Sequence, residues 1–149
     1  HIATAPRPGT LILKSFGKFW GLAGLRLGFA IGDPALIAAL RPMIGPWAVS
    51  GPALSIATTA LSDPAWADAT RARLAADAAR LDAMMLRAGV TLVGGTSLFR
   101  LYDTPDAAQW QDRLGHHHIL ARSFPYSPRW LRFGLPDGAG WARLEQALA

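Results

Sequence analysis

The sequence predicts a mixed α/β chain whose two ends differ in texture. Residues 10–45 carry short apolar runs, each closed by a glycine- or proline-rich turn, as buried strands do. A long stretch with apolar residues at helical spacing lies between Asp63 and Gly89. Beyond it, strand-like and helix-like segments alternate to the end, the pattern of a small α+β unit.

The elements follow in order. Thr10-Leu-Ile-Leu-Lys14 is apolar and partly β-branched, which predicts a buried strand. Ser15 to Gly24 is rich in glycine and small residues and predicts a loop. Leu25 to Ile31 alternates into a second strand, closed by Gly32-Asp33-Pro34. Asp33 is a good N-cap with proline at the first helical position, so Ala35 to Arg41 continues as helix. Ile44 to Pro52 predicts a loop and Ala53 to Leu61 a helix.

The long helix is capped by Asp63 and started by Pro64. Leu74, Ala78, Leu81 and Met85 form its buried stripe, Arg73 and Asp77 a solvated pair, and Gly89 its end. Val90 to Val93 and Ser97 to Tyr102 predict strands joined by a tight Gly94-Gly95 turn. Pro105 to Leu114 predicts a helix, and Ile119 to Arg122 and Trp130 to Gly134 strands. The last helix carries Trp141, Leu144 and Leu148 on one face.

Composition excludes several function classes. With 149 residues and 51% hydrophobic content the chain can bury a core. The absence of cysteine excludes disulfides and thiolate metal sites. No apolar run approaches the roughly 20 residues that cross a bilayer, and residues 1–6 lack the basic-then-apolar layout of a secretory leader. A cytoplasmic location without a membrane partner is expected. The net charge of +5 comes mainly from scattered arginines. They form no basic run with interleaved aromatics, which argues against nucleic acid, and the usage fits a genome rich in arginine and alanine codons. His116, His117 and His118 cannot all face one side of a strand, and no carboxylate cluster adjoins them, so no metal site is expected. Trp20 and Trp47 flank the candidate site around Lys18 and read equally as packing or as ligand contacts. The chain opens with His1 just before a core strand, which predicts a piece of a longer protein.

The chemistry is concentrated in Ser15-Phe-Gly-Lys18-Phe-Trp-Gly-Leu-Ala-Gly-Leu-Arg26-Leu-Gly. A lysine at the end of a buried strand is costly, because desolvation disfavours its charged form; the same cost favours an imine-forming amine. A lone strand-end lysine more often snorkels to solvent. Here Ser15 three residues earlier and Arg26 eight later add a hydroxyl and a forked cation, a donor set for a phosphate dianion.

Ser-x-x-Lys-x7-Arg, with Gly-Leu-Ala-Gly-Leu-Arg-Leu-Gly inside it, resembles the lysine segment of class I/II aminotransferases, which are fold-type-I pyridoxal-5′-phosphate (PLP) enzymes. The resemblance implies an α/β chain forming the C-terminal part of that fold. It also implies PLP as cofactor, Lys18 as its Schiff-base lysine, and Ser15 and Arg26 as binders of its phosphate. Many members have Ser or Thr immediately before the lysine, where this chain has Gly17. Trp130-Leu-Arg132-Phe-Gly resembles the strand whose arginine grips the substrate α-carboxylate; a structural ion pair is the other reading of Arg132.

Ile119-Leu-Ala-Arg122 resembles the segment of the histidinol-phosphate aminotransferase branch that lies near the distal group of a phosphorylated substrate. Gly45-Pro-Trp-Ala-Val-Ser-Gly-Pro52, Arg122-Ser-Phe-Pro-Tyr and Leu131-Arg-Phe-Gly-Leu-Pro look most like the threonine-phosphate decarboxylases of cobalamin biosynthesis. On that resemblance residues 1–50 are the end of the PLP-binding large domain, 51–88 connecting helices and 89–149 the small C-terminal domain. The implied partners are a small phosphorylated amino acid and, in the full-length form, a second copy in a homodimer. The rival readings are an aminotransferase of the histidinol-phosphate or aromatic type, and a truncated chain without catalysis.

Overall fold

The computed structural model describes residues 7–149, so the leader reading of residues 1–6 lies outside the described residues. The chain divides into two compact units, one running to Pro64 and the other from Ala65 to Ala149.

The first unit is built on an antiparallel pair, β1 (Leu11–Ser15) and β2 (Gly28–Gly32), in the register Leu11↔Gly32 to Ser15↔Gly28. β2 starts three residues later than the alternation suggests. Ala23–Leu25 instead forms a 3-10 turn that ends at Arg26 in the left-handed region, with φ 51°. The pair twists back tightly at its other end: a Cβ on Gly32 (φ 154°) would lie 2.2 Å from the Thr10 carbonyl oxygen, so only glycine fits. α1 (Pro34–Ile44) follows, with Asp33 accepting from the Ala35 amide at 2.8 Å as its N-cap. Asp33 also accepts from the Gly9 amide at 2.7 Å, and these bonds hold its carboxyl below the usual range. α1 runs through Pro42, three residues past the expected end. α2 (Gly51–Leu61) is capped by Ser50, whose Oγ accepts from the Ala53 amide.

The second unit opens with α3 (Pro64–Arg87), which buries Leu74, Ala78, Leu81 and Met85 at the expected helical spacing. Arg73 and Asp77 pair at 3.2 Å on its exposed side. β3 (Thr91–Gly95), β4 (Phe99–Asp103), β5 (Arg122–Phe124) and β6 (Ser127–Gly134) form an antiparallel sheet in the order β3-β4-β6-β5. α4 (Ala107–His116) and α5 (Gly138–Leu148) complete the unit. One core joins Leu81 and Met85 of α3 with Trp110 and Leu114 of α4, Trp141 and Leu144 of α5, and Tyr102, Leu131 and Phe133 of the sheet. The period of two then sends Phe99, Leu101 and Arg132 to the opposite sheet face. Leu148 is only partly buried; Ala147 takes the core position on α5.

Two expected elements differ. Gly94-Gly95 is not the hairpin turn: both lie in β3, where a bulge falls between Leu92 and Gly94. A Cβ on Gly95 would lie 2.3 Å from the Phe99 carbonyl oxygen, so glycine serves a close strand approach there. The turn is Thr96-Ser97-Leu98, closed by Thr96 Oγ1, which accepts from the amides of Leu98 and Phe99. Ile119 to Ala121 is not strand either. The amides of His117 and Ile119 donate to the Leu114 carbonyl and that of His118 to Gly115, so closing α4 consumes the donors that a strand would offer. Among the described residues no helix is long and apolar enough to cross a membrane, and no group of three His, Cys, Asp or Glu side chains could hold a metal.

Candidate functional site

The connection between β1 and β2 carries Ser15, Lys18 and Arg26. Ser15 is the last residue of β1, and its Oγ accepts from the Gly17 amide at 3.0 Å, which leaves the hydroxyl proton free to donate outward. Phe16 turns inward, 2% exposed, and its ring stacks on Trp20 at 5.5 Å and meets Phe29 at 5.7 Å. The Leu22 amide then donates to the Phe16 carbonyl and the Gly21 amide to that of Lys18, drawing residues 16–22 into a closed turn.

Lys18 lies on that turn, exposed, and not at the end of a buried strand. The sequence argument for its desolvation therefore does not hold among the described residues. Phe16 takes the one buried position past β1, because only an apolar ring can fill it without stranding a charge. A Cβ on Gly17 would lie 3.2 Å from Ala23 Cα and 3.3 Å from Ser15 Oγ, tight enough that a larger residue must displace its neighbours. Trp20 is a packing residue of this turn, whereas Trp47 is 92% exposed.

Arg26 holds its left-handed conformation with two bonds to one acceptor: its amide and its Nη1 both donate to the Ala23 carbonyl, the latter at 3.2 Å. Left-handed backbone costs a non-glycine residue roughly 1 kcal/mol, and such strain tends to collect at functional sites. Arg26 forms no ion pair among the described residues. An amine, a hydroxyl and an unpaired guanidinium on one loop, with no carboxylate among them, suit an aldehyde-bearing phosphate ester such as PLP.

In the second unit Arg122 and Arg132 are direct cross-strand partners on β5 and β6, and so share a sheet face. With Phe99, Ser123, Gln111 and Gly134 they line a cleft of about 470 Å³. The unit's other two strand arginines are paired with carboxylates, Arg100 with Asp82 and Arg129 with Asp103. Arg122 and Arg132 are not, among the described residues. Their guanidinium groups lie over rings instead, Arg132 4.9 Å from the Phe99 centroid and Arg122 5.6 Å from that of Phe124. The ion-pair reading of Arg132 therefore does not hold among the described residues.

Gln111 Nε2 donates to the Ala121 carbonyl at 2.9 Å, and Ser123 Oγ donates to Gln111 Oε1 at 3.0 Å, tying α4 to the edge strand beside Arg122. On the core side, Asp82 of α3 accepts from Arg100 Nε at 2.9 Å and from the Tyr102 hydroxyl at 2.6 Å. Burial pushes the Asp82 carboxyl up, but the Arg100 and Tyr102 hydrogen bonds and the Arg100 charge more than offset it and leave the pKa lowered. Burial and the neighbouring carboxylate push the Tyr102 phenol upward. Sequence reading singled out neither this network nor Phe99, because only strand register and the α3 contact bring their partners together.

The loop that carries Ser15, Lys18 and Arg26, and the second unit that presents paired arginines, belong to a chain with part of fold type I of the PLP-dependent transferases. A solved structure with this fold is histidinol-phosphate aminotransferase from Sinorhizobium meliloti in complex with pyridoxal-5′-phosphate. It gives a TM-score of 0.77 at 20% identity, covering 99% of this chain and 42% of that one. The chain belongs to the family "Aminotransferase class I and II", whose model matches residues 2–146. Threonine-phosphate decarboxylase from Sinorhizobium sp. is 49% identical over 93% of this chain and 41% of its own length. The enzyme of the same name from Pseudomonas aeruginosa is 46% identical over 98% of this chain and 44% of its own. The chain thus spans less than half the length of these relatives.

Proposed function

We propose that the whole protein to which these residues belong is a PLP-dependent decarboxylase of L-threonine O-3-phosphate, forming (R)-1-aminopropan-2-yl phosphate and carbon dioxide in cobalamin biosynthesis. The observation that carries the reading is the cross-strand pair Arg122 and Arg132, two cations on one face with no carboxylate partner among the described residues. A substrate bearing a carboxylate and a phosphate presents two anions, and two forked donors suit them one each. The identity to two threonine-phosphate decarboxylases supports the same substrate.

PLP, when bound, supplies the electron sink that lets a bond to the substrate's α-carbon break. The residues divide the remaining work. Lys18 Nζ would hold the cofactor aldehyde and would carry a proton at the substrate's α-carbon. Ser15 Oγ would donate to the cofactor phosphate, and the Arg26 guanidinium would pair with it. Arg132 fixes the substrate carboxylate, and Arg122 receives the distal phosphate. Residues 1–50 as the end of the large domain, 51–88 as connecting helices and 89–149 as the small domain complete the proposal, with a cytoplasmic homodimer as the working form.

The aminotransferase reading uses the same lysine, cofactor and arginines. Incubating the whole enzyme with PLP and O-phospho-L-threonine, with and without 2-oxoglutarate, separates the two. Carbon dioxide and aminopropanol phosphate in both reactions are the expected result. Product that forms only with 2-oxoglutarate hands the case to transamination.

A further inference from the structure

The strand arginines of the second unit fall into two kinds. Arg100 and Arg129 are neutralised by Asp82 and Asp103. Arg132 has its guanidinium carbon 4.9 Å from the centre of the Phe99 ring and, among the described residues, no acid paired with it. The register explains how the two meet. Arg132 stands opposite Leu101 and Phe99 opposite Gly134, so Arg132 and Phe99 are diagonal neighbours on one face, within reach of a long side chain and a ring. Gly134 has no side chain to compete for the ring, and a Cβ built there would meet no atom within 4 Å. Phe99, Arg132 and Gly134 line the same cleft.

A ring and a carboxylate hold a guanidinium in different ways. A carboxylate occupies its N–H donors and cancels its charge. A ring attracts the cation through its face, leaving the charge intact and the donors at the guanidinium edge free. It also confines a side chain that would otherwise lose rotamer freedom when it bound a ligand.

We propose that Phe99 is a positioning residue for anion recognition: its ring holds Arg132 oriented and still charged, ready for the carboxylate of a small phosphorylated amino acid. The proposal rests on the reading of Arg132 as a carboxylate grip, and the two can fail separately.

The test titrates the whole enzyme, freed of cofactor so that the ligand is not consumed and with its arginine side chains 15N-labelled, with O-phospho-L-threonine. In the wild-type chain the Arg132 δ-methylene protons should be shifted upfield by the Phe99 ring current, and the Arg132 Nε–H signal should move as the ligand binds. Phe99→Leu should abolish the ring-current shift and weaken binding roughly three- to tenfold. Phe99→Trp, with a stronger quadrupole, should bind as tightly as wild type or tighter. In the whole enzyme Phe99→Leu should raise KM by the same factor and leave kcat within about twofold, as expected for ground-state binding.

If Arg132→Gln loses binding but Phe99→Leu keeps it, the positioning role is overturned and the carboxylate grip stands. If Arg132→Gln binds like wild type, both fall. Binding by Phe99→Trp as weak as by Phe99→Leu, a wild-type chain that binds no ligand, or the absence of an upfield shift also overturns the proposal. The tryptophan variant and the wild-type shift decide the matter even if Phe99→Leu does not fold.

Discussion

The two units hold their candidate functional side chains by different means. In the second, Arg122 and Arg132 stand on strands of a sheet whose other face is sealed by one core, with Leu131, Leu114 and Met85 at 0% exposure. In the first, Lys18 and Arg26 stand on a loop held by a few backbone hydrogen bonds and the single buried ring of Phe16. Leu13, Met43 and Trp47 there are 77%, 82% and 92% exposed. A strand on a filled core fixes a side chain's direction through packing, at a cost spread over many contacts. A loop fixes it through a handful of bonds, so each loop residue matters more and tolerates less. Catalytic groups are often found on loops set on a rigid scaffold for this reason.

The largest effect expected is at the loop. In the whole enzyme Lys18→Ala should remove turnover to below detection together with the visible absorbance of the bound cofactor, since its amine is the group proposed to hold the cofactor aldehyde. Retained turnover with an unchanged spectrum would show that the loop does not carry the chemistry. The core should answer next. Leu131→Ala empties a fully buried position between the helices and the sheet, and should cost about 2–5 kcal/mol in urea unfolding of the 149-residue chain. A loss below about 1 kcal/mol would mean that the second unit is not packed as described.

The paired roles of the arginines sharpen the contrast. Arg26→Gln should weaken PLP binding and Arg132→Gln should raise substrate KM, each by about ten- to a hundredfold, the worth of a charge-assisted contact. An exchanged pattern, with cofactor lost on changing Arg132, would reverse the assignment of the two units.

The smallest effect is expected at the α3 network. Tyr102→Phe removes the hydroxyl that donates to Asp82 and should cost about 1.5 kcal/mol at pH 7. Asp82 has a lowered pKa in the folded chain. The stability it contributes is therefore present above its unfolded pKa and is lost as pH falls through the folded value. The penalty of Tyr102→Phe should accordingly shrink as the pH drops below about 4. Urea midpoints of both proteins from pH 3 to 7 measure it, and a penalty constant with pH would separate Tyr102 from the carboxylate.

Much of both units could be read from the residues. Asp33-Pro34 and Asp63-Pro64 mark helix starts, the Leu74-to-Met85 stripe marks a core helix, and the spacing of Ser15, Lys18 and Arg26 marks the loop. Each of these signals is local, because caps, helical periods and a loop's donors are set by neighbours a few residues away. Other features could not be read this way. Gly94-Gly95 reads as a turn from its dipeptide alone, yet the bulge in β3 and the approach of the Phe99 carbonyl place the turn at Thr96 to Leu98. The exposure of Lys18 depends on Phe16 turning inward.

By itself, then, the sequence determined which chemical groups the chain carries and most of the helices and strands that bear them, because those depend on short-range propensity and spacing. Only the tertiary structure decided that Arg122 stands opposite Arg132, that Arg132 rests on the ring of Phe99, and that Asp82 reaches Arg100 and Tyr102 across from α3. These pairings depend on strand register and on how a helix docks against a sheet. A shift of one residue in the register of β4, β5 or β6 would turn that strand's side chains to the other face, with no change in the sequence that carries them.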